Sequence, residues 1–238
     1  MFVHPAGSRR AVALVVVGLV GGFFPQLGLS QPAPFFEDDF EEYFNDEELQ
    51  DLGGWQIMEV NQPVEISAIW TLLNNGGRAN PPTEDGTPSV NLDGTPSSQF
   101  LISDSDCCGG ESDGQGSGRS HDIWSPVIEV AGDVIWLHMD CSAQLNNNGT
   151  VIFDIDVSTD EGATWTNVFR RIAPSRTVDP LPTPENSSGF FGRLHVDLSS
   201  VAANQNEIMF RLRQFEPDWD WWVAVDNVVV DDQPGLQG

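Results

Sequence analysis

The chain has 238 residues, with 36 acids against ten Lys or Arg and a formal net charge of −26. All ten are Arg, since Lys is absent from the sequence. So acidic a surface repels phosphate backbones and anionic lipid, which argues against nucleic acid and acidic membranes as partners and favours divalent cations.

At the start of the chain, Arg9 and Arg10 precede an apolar run over residues 11–24 and a polar stretch ending Gly28, Leu29 and Ser30. This is the pattern of a secretory signal peptide cleaved near Ser30. The 14-residue run is short of the roughly 20 residues that a membrane span needs. The reading is a signal peptide over residues 1–30 and one domain, without an anchor, over residues 31–238, secreted to the extracellular side. That length suits one sandwich or barrel.

Helical signal is thin: Asn45 with Asp46, Glu47 and Glu48 is predicted to cap and start one turn, and residues 199–204 another. From residue 100 onward, short runs of period-two alternation are broken by Gly, Pro, Asn and Asp, an all-β signature. Residues 151–157 place Val151, Phe153, Ile155 and Val157 on one face, with Asp154 and Asp156 expected on the wet one. Leu194, Val196 and Leu198 alternate with His195 and Asp197, and Ile208, Phe210 and Leu212 with Met209, Arg211 and Arg213. Residues 134–141 and 221–230 are apolar on both faces, as expected of central strands. Residues 74–98, 104–120 and 173–189 read as long loops, where ligands are expected if anywhere.

Three cysteines, Cys107, Cys108 and Cys141, enter an oxidising compartment on this reading. The expected disulfide joins Cys107 or Cys108 to Cys141, with a strained bridge between the adjacent pair as the minor option.

Residues 158–165 read Ser-Thr-Asp-Glu-Gly-Ala-Thr-Trp, which resembles the Asp-box hairpin signature seen in sialidases and in many secreted β-domains. Ser158 and Asp160 suit backbone amides, Gly162 suits a positive φ, and Trp165 is expected to fold back onto the core. A sialidase-like propeller would repeat the motif, and here it occurs once. It therefore specifies a turn rather than an activity.

Several strings follow in order: Phe36-Glu37-Asp38-Asp39-Phe40-Glu41, Gly53-Gly54-Trp55, Ile123-Trp124-Ser125-Pro126-Val127-Ile128, the hairpin, Val196-Asp197-Leu198-Ser199, and Val225-Asp226-Asn227-Val228. Together they resemble the cleaved-adhesin or choice-of-anchor J group, relatives of the MAM domain, over about residues 36–231. The resemblance implies a two-layer antiparallel β-sandwich of jelly-roll topology whose first and last strands meet. It also implies a structural calcium ion held there by Glu41 and Asp226, with Asn227 in place of a second acid and Asp39 alongside. Independently of family, a carboxylate at Asp226 among Val223, Val225, Val228 and Val230 needs a partner: calcium, a backbone donor or an Arg.

Trp219, Asp220 and Trp221 suggest stacking on a sugar ring, in competition with core packing. A second acidic group, Asp104, Asp106, Glu111 and Asp113, lacks the spacing of an EF-hand loop and reads as a solvated loop. The sequence carries no zinc-protease helix, hydrolase elbow or phosphate-cradling loop. The predicted function is a secreted, non-catalytic, calcium-stabilised recognition or adhesion module for carbohydrate or a surface protein. The alternatives are a small glycoside hydrolase or lyase on the same scaffold, and a purely structural matrix protein.

Overall fold

The computed structural model describes residues 33–59, 70–74, 99–104, 119–145, 152–172, 190–216 and 221–235. Two antiparallel sheets face one another. The first contains β1 (Phe36–Asp38), β3 (Leu101–Asp104), β6 (Trp136–Leu145), β9 (Phe190–Asp197) and β11 (Trp221–Asp231). Its order is β1, β11, β6, β9, with β3 on β11 as well. β1 pairs with Val228, Val229 and Val230, and β3 with the earlier half of β11, from Trp222 to Val225. The second sheet contains β2 (Gln56–Glu59), β4 (Arg119–Trp124), β5 (Ile128–Glu129), β7 (Ile152–Ser158), β8 (Thr166–Ile172) and β10 (Glu207–Glu216). Its order is β2, β4, β10, β7, β8, with β5 also on β10. Apart from β4 to β5 and the β7–β8 hairpin, each successive strand crosses to the other sheet, giving the jelly-roll sandwich.

The alternation in sequence explains the core. Leu137, Met139, Cys141, Ala143 and Leu145 of β6 meet Phe153, Ile155 and Val157 of β7 and Phe210 and Leu212 of β10 in one buried cluster. β11 sends Val223 and Val225 into that cluster and Trp222 and Ala224 into a second with Phe100 and Ile102, so it is apolar on both faces. Helix α1 (Asp46–Asp51) starts where Asn45 Oδ1 accepts the Glu48 N–H at 2.9 Å, the predicted cap. Helix α2 (Ser199–Ala202) follows β9.

Two expectations are corrected. Asp154 and Asp156 lie on the face of β7 away from the core, yet are only 2% and 3% exposed, because arginine side chains cover them. Trp165 does not join the core: it packs on the outside of the second sheet, its ring 4.9 Å from that of Trp124, with the Arg211 guanidinium 4.6 Å above it.

The turn between β7 and β8 is built as its residues suggest. Ser158 Oγ accepts the Gly162 N–H at 2.8 Å and donates to Asp160 Oδ1 at 2.8 Å, while Asp160 also accepts from the Thr164 amide and hydroxyl at 2.8 and 2.7 Å. Gly162 sits at φ 85°, and an added Cβ would meet Trp124 Cζ3 at 2.9 Å. Glycine is thus required twice, by conformation and by room.

The predicted signal peptide, Cys107, Cys108, Trp219 and Asp220 lie outside the described residues, as do nearly all of the three long loops. Cys141 is buried in β6.

Candidate functional site

The chain segment after β1 and the latter half of β11 enclose a cleft of about 660 Å³. Five carboxylates line it, Glu37, Asp38, Asp39, Glu41 and Glu42, together with Asn227 and the ring of Tyr43.

Local chemistry shapes the wall after β1. Asp38 Oδ1 accepts the Phe40 N–H at 2.9 Å, and Phe40 takes φ 59°, which turns its ring into the core with no exposure. The acids on either side are left facing the cleft. Asp38 Oδ2 accepts from the Tyr43 hydroxyl at 2.9 Å and the Trp55 indole at 2.8 Å. Burial first, and then the Asp38 charge, push the Tyr43 phenol well above its ordinary pKa. Asp39 Oδ1 accepts the Glu41 amide at 3.2 Å, and Glu41 Oε1 accepts the Gln99 amide at 2.8 Å, tying the wall to the segment before β3.

The opposite wall is a β-bulge. Pairing of β11 with β6 shifts between Asp226 and Val229, and Asn227 takes φ 48°, a conformation in which Asn is enriched. Asp226 is buried and its Oδ1 accepts the Asn227 N–H at 2.7 Å. Asn227 Nδ2 donates to Asp140 Oδ2 at 2.9 Å, and Arg193 Nη1 bridges Asp140 Oδ1 at 2.9 Å and the Asn227 carbonyl at 3.1 Å. The side chain at 227 is therefore anchored from behind the cleft.

Of the four predicted calcium ligands, Asp39, Glu41 and Asn227 line this one cleft, whereas Asp226 does not. Hard oxygen donors suit Ca²⁺, which takes six to eight of them. No group of three or more His, Cys, Asp or Glu side chains converges on one point among the described residues. Asp39, Glu41 and Asn227 offer oxygen donors of the kind the ion takes, and water and carbonyl oxygens would have to complete its shell. Sequence reasoning missed Glu37, Glu42, Tyr43, Asp140 and Arg193; only the acid density of residues 37–42 hinted at the cleft.

The other predicted contact, Trp221, belongs to β11, paired with Leu145. Its neighbour Trp222 is buried, its indole 3.4 Å from Ser142 Oγ. Asp104, from the second acidic group, is also buried, on β3. Across the outer face of the second sheet runs a lattice that sequence reasoning did not foresee. Arg211 bonds Asp156 at 2.8 Å and Asp122 at 3.1 Å, Arg213 bonds Asp122 at 3.0 Å, and Arg170 holds Asp154 through two bonds of 2.8 and 2.7 Å. Among the described residues no helix is long and apolar enough to cross a membrane.

No family model matches the chain, and no curated protein does. Among solved structures, it is similar to the K3 cleaved adhesin domain of Lys-gingipain from Porphyromonas gingivalis, at 15% identity and TM-score 0.48, over 83% of this chain and 98% of that one. The K1 cleaved adhesin domain of the same protein gives 10% identity and TM-score 0.47, over 83% and 98%. The C-terminal family 22 carbohydrate-binding module of Clostridium thermocellum Xyn10B gives 10% identity and TM-score 0.40, over 84% and 94%.

Proposed function

We propose that this chain is an exported, non-catalytic recognition module that takes calcium in the cleft beside β1 and β11 and binds carbohydrate or a surface protein outside the cell. One observation carries the cation reading. The buried acids Asp122, Asp140, Asp154 and Asp156 each have an arginine partner. The acids of the cleft, Glu37, Asp39, Glu41 and Glu42, have no cationic partner among the described residues, and they crowd one concavity. Crowded like charges destabilise the fold unless a counter-ion joins them. An ion there would link the segment after β1 to the bulge of β11 and so fasten one edge of the sandwich.

Calcium titration with thermal unfolding tests this. At 100 times its dissociation constant a ligand bound only by the folded state adds about 2.7 kcal/mol. A rise in melting temperature is expected that magnesium and sodium at equal ionic strength do not reproduce, and that is reduced in Asp39→Asn and Glu41→Gln. An equal rise with all three salts would remove the calcium reading. A glycan array addresses the partner. Binding without turnover supports the module, turnover supports a hydrolase or lyase, and silence together with no surface-protein partner supports a structural role.

A further inference from the structure

Two of the four histidines of the chain meet across the β6–β9 ladder, where His138 is paired directly with His195. Their Nδ1 atoms lie 2.6 Å apart. The other nitrogen of His138, Nε2, lies 3.2 Å from Asp231 Oδ1 and 3.1 Å from the Gln233 carbonyl. Both of these only accept, so Nε2 carries a proton. The strap of residues 231–235 then closes over the pair: Gln233 N–H donates to Asp231 Oδ1 at 2.8 Å, and Gly235 lies so near that an added Cβ would collide with His195 Cβ. Trp136 stacks on the far face of His138 at an interplanar angle of 6°.

Proton counting sets the behaviour of this cluster. A contact of 2.6 Å between two ring nitrogens holds one proton, on either ring. With both rings charged, each Nδ1 is a donor and the contact has no acceptor. The surroundings are negative: Asp231 touches His138, and Asp232 follows it in the strap. Glu37 of β1 shares the cross-strand row through Val229, and Asp197 of β9 lies in the next row opposite Trp136. On the other side Asp140 and Arg193 already neutralise each other. One charge is thus tolerated, and a second is opposed by the geometry of the contact.

We propose that the His138–His195 pair is an acid-operated latch that holds residues 231–235 against β6 and β9 near neutrality and releases them when both rings are charged. Unfolded imidazoles charge near pH 6.5. Two charged rings in the docked arrangement would set donor against donor, so acid favours the undocked strap.

Hydrogen exchange of the full chain tests the latch. Between pH 7.5 and 5.0, after correction for intrinsic exchange, the Gln233 amide, which is bonded to Asp231 Oδ1, is expected to lose protection about tenfold while β10 stays protected. His195→Gln, which cannot charge, is expected to flatten that response. Equal protection of the Gln233 amide at both pH values, or an unchanged tenfold loss in His195→Gln, would overturn the proposal. Should that variant not fold, ¹⁵N spectra of the wild-type imidazoles decide: both rings charging while the strap stays protected also overturns it.

Discussion

At the scale of single residues, the carboxylate of Asp38 organises more than any other group near the cleft. It closes the turn at Phe40 and collects the hydroxyl of Tyr43 and the indole of Trp55, two donors from well-separated points of the chain. Because Tyr43 is the only tyrosine, its ionisation can be followed alone by ultraviolet absorbance. Burial, and then the negative charge of Asp38, oppose the phenolate, so the midpoint is expected above the ordinary value of about 10. Asp38→Asn removes the charge and is expected to move the midpoint down, though not fully, because burial remains. A wild-type midpoint at the ordinary value would show the phenol to be solvated. In the hairpin, Asp160 is held below the usual carboxylate range, first by the Thr164 hydroxyl and then by the Thr164 amide. A depressed acid contributes stability that is present above its unfolded pKa and lost as pH falls through its folded one. The turn is therefore expected to loosen only in strong acid, a range separate from that of the histidine latch.

Between strands, the arginine and aspartate lattice shows what a single sequence can and cannot reveal. The alternation of Asp154 with Asp156 and of Arg211 with Arg213 was plain, and so were the strands that carry it. Which strand lies beside which was not, because register is set by packing between distant segments. Once β10 lies between β4 and β7, Arg211 stands opposite Asp156 on one side and beside Asp122 on the other. The face expected to be wet then becomes a buried set of ion pairs. The hydrogen bonds of the β7–β8 turn were legible because they fall within residues 158–164, whereas the seat of Trp165 against Trp124 and Arg211 depends on distant strands. The cleft was legible only in part: the acids of residues 37–42 are local, but the bulge that swings Asn227 forward and leaves Asp226 behind arises from a shift between β11 and β6. Removing one partner from a buried pair costs about 3–5 kcal/mol. Arg211→Met leaves Asp156 with Asn167 at 2.8 Å and Arg213 at 3.9 Å, so a loss near the lower end of that span is expected from denaturant unfolding. Combining it with Asp156→Asn is expected to cost less than the sum of the two, since the stranded charge is gone. A strictly additive pair would show that the two groups do not interact.

For the molecule as a whole, the decisive quantity is how its negative charge is distributed. Asp140, Asp156 and Asp122, on the outer faces of the two sheets, are matched at contact distance, with Arg193, Arg211 and Arg213 within 3.1 Å of them. The acids in the cleft are not matched among the described residues, and the formal charge of the chain stays at −26. Salt acts on these two populations unequally. Between 0.01 M and 1 M sodium chloride the screening length falls from about 30 Å to about 3 Å, which removes repulsion between separated surface acids and leaves buried contacts nearly untouched. Stability is therefore expected to rise with salt, on the order of 1–2 kcal/mol, or about 2–8 °C in melting temperature for a domain of this size. A fall would mean that exposed ion pairs outweigh the repulsion. The same series sets the baseline for calcium, because only stabilisation in excess of this screening curve at matched ionic strength can be assigned to an ion seated between β1 and β11.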